Sequence, residues 1–290
     1  MKPAPFDHCA PTDMDEVLSL LRDHAPEARL LAGGQSLVPL LNFRLSRPSL
    51  LIDLNRVADL AYIREESDYL AIGAMTRERA VENSDLIRSK APLLHEATTH
   101  IAHLPIRSRG TIGGSIANAD PAAEYPAVAT ALDCVMVARN VAGERLIGAS
   151  DFFEDVLTTA LAPDELLTEI RVPKIPSGSG SAFVEIARRH GDFALAGVAA
   201  QVTLSGETVS EIRLAACGVG SGPIRLVAAE EVIRTGGVGE AIIAAAAKAA
   251  SEEVDPFGDL HATEAYRRRL AGVMTARALA TAIERARAAS

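Results

Sequence analysis

Two short segments, Ala32-Gly33-Gly34-Gln35-Ser36 and Thr111-Ile112-Gly113-Gly114-Ser115, carry the clearest chemical signal in the chain. Their side chains offer almost no acid–base or nucleophilic chemistry. What they offer is backbone. Adjacent glycines permit positive φ and let a ligand approach the bare main chain. Consecutive N–H groups can then point at one anion, a nest that binds phosphate oxygens without lysine. Two such loops in one chain read as the two sides of a single diphosphate clamp.

Other constellations fall away on spacing. Neither Gly33-Gly34 nor the glycines at 178 and 218 begin a G-x-G-x-x-G, and no G-x-x-x-x-G-K-[ST] is present. His95-Glu96-Ala97-Thr98-Thr99-His100 resembles a zinc H-E-x-x-H, but its second histidine comes one residue late. Ligands at i and i+5 do not share a helix face, so no metal is expected. Ser36 and Ser115 lack the G-x-S-x-G elbow of a nucleophile. No catalytic side chain is assigned.

The surroundings narrow the partners. The chain has 290 residues, 48% hydrophobic and 23% charged, enough for about two domains with a real core. Its net charge of −9 argues against nucleic acid. No apolar run reaches the roughly 20 residues of a membrane span. The N-terminal MKPAPFDHCA has no apolar signal region, and the expected location is the cytoplasm. Cys9, Cys134 and Cys217 are scattered, which fits buried small hydrophobes rather than disulfides or an iron–sulfur cluster held by this chain.

The elements that must position the loops follow in order. A strand and a helix fill residues 1–28, with Thr12 as cap and Pro26 as terminator. Arg29 to Ala32 is a short strand running into the first loop. Ser36 caps the next turn, and Leu37 to Leu41 packs behind it. Strands are expected at Leu50–Leu54, Ala61–Arg64 and Tyr69–Ala74, then a helix capped by Thr76. A helix over 85–103 ends near Pro105. After the second loop come a small-residue helix at 127–132, a strand at 134–138, a helix opening at Ser150–Phe153 and a strand at 169–173. The Pro176–Ser181 stretch is the linker, and it sets the domain boundary. Beyond it lie three antiparallel strand runs (182–188, 197–204, 209–218) and two long helices, 238–254 and 263–289. Arg267, Arg268, Arg269 and Arg277 read as the solvated face of the last helix.

Four stretches resemble one family in its own order: AGGQSLVPLLNFRLSRPSLLIDLNRV (32–57), IGAMTRERAVE (72–82), RSRGTIGGSIANADPAAEYPAV (107–128) and RRHGDFALAGVA (188–199). The chain resembles the FAD-binding medium subunit of the molybdenum hydroxylases, the xanthine dehydrogenase and carbon monoxide dehydrogenase family. The resemblance implies an α+β fold. Residues 1–176 would form a vanillyl-alcohol-oxidase-type FAD domain of two subdomains, about 1–56 and 57–176. Residues 177–290 would form an antiparallel sheet with helices, of the CO dehydrogenase flavoprotein C-terminal type.

By the same resemblance, Ala32, Gly33, Gly34, Gln35 and Ser36 hold one side of the FAD diphosphate. Thr111, Ile112, Gly113, Gly114 and Ser115 hold the other. Glu124 stands where relatives carry an acidic FAD contact, with Asp120 a weaker candidate that is also a turn signal. Ile101 and Leu167 fall where the family sets apolar residues against the flavin; ordinary core is the other reading of each. Phe193 either stacks on the flavin or is a core phenylalanine. Val184 and Glu185 occupy a region where relatives often have a lysine, with Arg188 and Arg189 as substitute cations near the flavin. His100 and His103 lie beside the cofactor, near a partner, or in ordinary packing.

The implied role is electron transfer within a heterotrimer. Electrons reach FAD from a small [2Fe–2S] subunit and leave to an external acceptor, while a molybdenum-pterin large subunit hydroxylates the substrate. A dimer of heterotrimers is the expected assembly. A stand-alone FAD oxidoreductase with its own organic substrate is the alternative, and a binding protein that has lost FAD is a third reading.

Overall fold

The computed structural model describes residues 2–289. Its first sheet is parallel, with β1 (Asp7–Cys9), β2 (Ala28–Leu31) and β3 (Leu50–Asp53) in the order β1-β3-β2. Helix α1 (Met14–His24) buries Val17, Leu18 and Leu21. Its cap is Asp13 rather than Thr12, because Asp13 Oδ1 accepts the Glu16 N–H at 2.9 Å. A carboxylate there also meets the positive end of the helix. Helix α2 (Leu37–Asn42) follows the first loop. Ser36 makes no side-chain cap, since its backbone is already helical at φ −99° and ψ −48°. Only Leu41 of the 37–41 run is buried; Val38 is 40% exposed.

The second sheet is antiparallel. Strands β4 (Ile63–Glu65), β5 (Tyr69–Gly73), β6 (Val135–Asn140) and β7 (Gly143–Gly148) are followed by a small hairpin, β8 (Phe153–Asp155) and β9 (Thr158–Thr159). Strand β10 (Leu166–Pro173) then enters the middle, giving the order β4-β5-β10-β6-β7. Between β5 and β6 run α3 (Glu78–Asn83), α4 (Asp85–Lys90), α5 (Pro92–His100), α6 (Leu104–Arg107), α7 (Ile112–Asn118) and α8 (Glu124–Ala131).

Several boundaries here differ from the sequence reading. The expected 85–103 helix is broken at Ala91, because Pro92 lacks an N–H and is suited to a first turn. Pro105 likewise sits in the first turn of α6 instead of ending a helix. Thr76 caps nothing. Its hydroxyl donates to the Tyr62 carbonyl at 2.9 Å and accepts the Tyr62 N–H at 3.1 Å. Helix α9 (Ala149–Phe152) stops after one turn, where β8 begins.

The third sheet is β11 (Ser179–Ala187), β12 (Ala194–Ser205), β13 (Thr208–Cys217) and β14 (Ile224–Arg225), antiparallel in that order. It is covered on both faces, which explains why β12 reads as a nearly continuous apolar run. Alternate residues point opposite ways. Phe183, Ala199, Ala215 and Cys217 join the core beneath the second sheet's helices. Ala182, Val198, Ala200, Val202 and Leu214 pack on the other side with the C-terminal helices. These are α10 (Val227–Gly236), α11 (Glu240–Glu253) and α12 (Glu264–Ala288). Strand β14 and helix α10 were not anticipated from the sequence. Nor is Arg267 solvated: it is buried and donates to the Leu195 and Gly218 carbonyls at 2.8 and 2.9 Å and to Asp259 at 2.8 Å.

Candidate cofactor site

The two glycine loops meet, although 74 residues lie between Ser36 and Thr111. A Cβ on Gly33 would lie 2.3 Å from the Arg109 carbonyl oxygen and 2.7 Å from Gly110 Cα. A Cβ on Gly114 would lie 3.5 Å from Ala32 Cβ. The first loop therefore lies directly on the run into the second, and glycine at 33 is required by that approach.

The first loop fits an anion. Gly34 has φ +74°, the left-handed conformation that glycine adopts without strain. No protein acceptor among the described residues takes the N–H of Gly34, Gln35 or Ser36. The Gln35 side chain donates to the Gly33 carbonyl at 2.9 Å and braces the turn.

The second loop corrects the sequence reading, for it is not an open nest. The N–H groups of Ile112 and Gly113 donate to the Thr76 and Ala74 carbonyls at 3.1 and 2.9 Å. Gly114 N–H donates to Thr111 Oγ1, and Ser115 N–H to the Thr111 carbonyl, both at 3.1 Å. Thr111 is thus the cap of α7. Neither glycine here has positive φ. Gly113 is needed because a Cβ would come within 2.6 Å of the Ala74 carbonyl oxygen.

Two residues that were not singled out from the sequence tie the loops together. Asn55 Nδ2 donates to the Ala32 carbonyl at 3.0 Å. Arg77 Nη2 donates to Asn55 Oδ1 at 2.6 Å, and Arg77 Nη1 donates to the Arg109 carbonyl. Both lie in stretches that carry the family resemblance, just after strands β3 and β5, but nothing local marks them as a tie between the loops.

Carboxyl groups line the interior behind the seam. Glu78 is 5% exposed, and a Cβ on Gly110 would touch its carboxyl at 2.4 to 2.6 Å. Glu78 Oε2 is buried without a protein partner. Burial pushes the Glu78 pKa up to about 7, against the pull of Arg107 and Arg77. Glu124, at the start of α8, is buried too, and burial followed by the nearby Glu185 pushes it up to about 8. Glu185 lies 3.4 Å from His100 Nδ1. Asp120 is a turn residue whose Oδ1 accepts the Ala122 N–H at 2.9 Å.

The expected flavin contacts divide. Ile101 and Leu167 are both buried in the core that includes α5 and α8. Leu167 sits at a bulge in β10, and the next carbonyl, Thr168, accepts the N–H of the same Ala74 that Gly113 presses on. Phe193 is 69% exposed, so it is not a core phenylalanine. It follows a turn at Gly191 (φ +86°), where a Cβ would lie 2.5 Å from the His103 ring. His103 also stacks on His190, with centroids 6.3 Å apart. Arg188 donates to His261 at 2.9 Å. His95 Nε2 faces the Glu82 carbonyl at 3.0 Å.

Free amides, a left-handed glycine and an orphaned carboxyl oxygen at one seam suit a dinucleotide, whose diphosphate accepts and whose hydroxyls donate. The matches to known proteins agree. Residues 4–175 match the model of the FAD binding domain in molybdopterin dehydrogenase, and residues 181–282 match the CO dehydrogenase flavoprotein C-terminal domain. The chain is 45% identical over 288 residues to the 6-hydroxypseudooxynicotine dehydrogenase complex subunit alpha of Paenarthrobacter nicotinovorans, covering 99% of this chain and 97% of that one. It superposes on a chain of carbon monoxide dehydrogenase from Hydrogenophaga pseudoflava with TM-score 0.96 and 39% identity, covering 98% and 99%. Quinoline 2-oxidoreductase from Pseudomonas putida 86 gives TM-score 0.93 and 34% identity, covering 100% and 99%.

The fold is therefore that of an FAD-binding domain, built on one parallel and one antiparallel sheet, followed by a second antiparallel sheet with helices. The chain belongs to the FAD-binding medium subunits of the molybdenum hydroxylase family, an oxidoreductase family. Among the described residues, no helix is long and apolar enough to cross a membrane.

Proposed function

We propose that this chain is the electron-exit subunit of a cytoplasmic molybdenum hydroxylase built as a dimer of heterotrimers. Bound FAD supplies a carrier that takes electrons from a [2Fe–2S] small subunit and releases them to an external acceptor. Hydroxylation itself belongs to the molybdenum-pterin large subunit. The contribution of this chain is binding, orientation and electrostatics.

The division of labour follows the seam. Gly33 and Gly34, with the amides of Gln35 and Ser36, hold the diphosphate from one side, and Ala32 sets the spacing. Thr111, Ile112, Gly113, Gly114 and Ser115 form the opposite wall, through close main-chain approach and the Ser115 hydroxyl rather than free amides. Glu124 accepts from a ribose or adenine donor. Ile101 and Leu167 form the apolar floor for the flavin, and Phe193 covers the ring. The units are residues 1–176, split near 56, and 177–290. The observation that carries this reading is the direct packing of Gly33 on Arg109 and Gly110, which brings the two loops to one site.

The test is co-purification of the tagged chain from its host, with an absorption spectrum. Flavin bands together with two untagged partners, molybdenum and iron are the expected result. Flavin without partners, plus turnover of an organic donor by this chain alone, would overturn the electron-exit role.

A further inference from the structure

We propose that Arg77 is a positioning residue of the clamp, locking the two glycine loops together and presenting at their seam a positive charge that is hydrogen-bonded to no carboxylate. The proposal rests on the reading of those loops as the diphosphate site. A guanidinium has five N–H donors in a rigid planar fork and no acceptor. Arg77 aims one nitrogen at each loop. Nη2 donates to Asn55 at 2.6 Å, and Asn55 holds the Ala32 carbonyl of the first loop at 3.0 Å. Nη1 donates to the carbonyl of Arg109, the oxygen that Gly33 packs against. The backbone reinforces the tie, because Arg77 and Thr111 form an antiparallel bridge.

The charge argument is separate from the geometry. Both partners of the guanidinium are neutral oxygens. Asp53 and Glu78 attract it from further away, while Arg109 repels it, and burial with that repulsion lowers the Arg77 pKa from its ordinary value. A half-buried cation satisfied only by neutral oxygens and facing a second cation is costly. An anion seated at the seam removes that cost and takes donors the fork still has free. Glu78, the next residue, cannot serve as that anion, since its carboxyl turns inward against Gly110 with Oε2 unpartnered.

The experiment uses the full-length chain stripped of cofactor and titrated with FAD, at low and high salt. Arg77→Met keeps most of the bulk and removes the charge. It should bind FAD roughly ten- to a hundredfold more weakly, the loss expected for charge-assisted hydrogen bonds, and with less salt dependence. Arg77→Lys keeps the charge and loses the fork, so it should bind with intermediate affinity and the wild-type salt dependence. Wild-type affinity and salt dependence in Arg77→Met would overturn the proposal. If Arg77→Met does not fold, Arg77→Lys decides it, because wild-type affinity there would show that the two-loop fork is not used. A wild-type chain that binds no FAD would instead overturn the underlying site reading.

Discussion

At Gly34 the chain turns left-handed, with φ +74°. At Gly113 and Gly114 it winds into the right-handed helix α7. The two Gly-Gly pairs look alike in sequence, and the difference comes from their neighbours. Three residues before Gly114 stands Thr111, whose hydroxyl accepts the Gly114 N–H at 3.1 Å and starts a helix. Three residues before Gly34 stands Leu31, whose side chain has no oxygen to offer, and the amides of Gly34, Gln35 and Ser36 stay free. One loop keeps its amides open, and the other is a rigid wall on whose approach the first packs. A glycine pair alone encodes neither arrangement.

The sharpest way to break this contrast is at the contact between the loops. Gly33→Val puts a side chain into the Arg109 carbonyl and Gly110 Cα, which are backbone and cannot rotate away. The expected outcome is a loss of about 3 kcal/mol or more in urea unfolding, together with a flavin-to-protein ratio near zero. Full FAD occupancy in that variant would mean the loops do not form one site.

A second effect separates the charge behind the seam from its shape. A glutamate in an unfolded chain titrates near 4.3, whereas Glu78 in the fold titrates at about 7. Below the lower value both states hold the proton. Between the two values only the unfolded chain ionises, so stability is lost as pH rises through that window. Glu78→Gln cannot ionise and should remove the loss. Its advantage over wild type at pH 8 should exceed that at pH 4.5 by up to about 3 kcal/mol in apo-protein unfolding. An advantage independent of pH would rule out the ionisation account. Glu124, pushed up to about 8, should show the same sign with the window extended upward.

How much of this was legible depends on the range of each interaction. The loops themselves, the strands entering them and the doubly buried β12 follow from local residue type, and so does the break between strands β10 and β11 around 173–179. Caps were misplaced by one residue or more at Thr12 and Thr76, because several oxygens near a helix start compete and tertiary partners decide. Thr76 is taken by Tyr62, a contact 14 residues back. Arg77, Asn55 and Glu78 were illegible for a stronger reason. Their roles depend on the first sheet and the second loop meeting, and no periodicity in the chain reports that. Arg267 was misread because a run of three arginines looks solvated until the start of β12 is seen to offer it the Leu195 carbonyl.

The left-handed turn gives a smaller, more local test. In Gly34→Ala the new Cβ would approach the side chains of Val38 and Leu31 at 3.1 and 3.2 Å, and both can shift. The cost that remains is backbone strain at φ +74°, about 1–2 kcal/mol. The same substitution at Gly114 meets no such strain, and its neighbour at 2.7 Å is the Thr111 hydroxyl. Equal destabilisation with an intact Thr111 cap would erase the conformational distinction between the pairs.

The smallest effects probe the caps, and here the two loops should differ in kind. Thr111 Oγ1 accepts the Gly114 N–H, so Thr111→Ala leaves a helix-start amide without its partner and should cost about 1 kcal/mol of apo-protein stability. Ser36 makes no side-chain cap bond. Ser36→Ala should therefore leave apo stability within about 0.5 kcal/mol of wild type. FAD affinity should stay near wild type as well, because the Ser36 N–H assigned to the diphosphate survives the substitution. If Ser36→Ala destabilised the apo chain as much as Thr111→Ala, the first loop would owe its shape to a side-chain cap. The left-handed Gly34 would then no longer be what keeps its amides open.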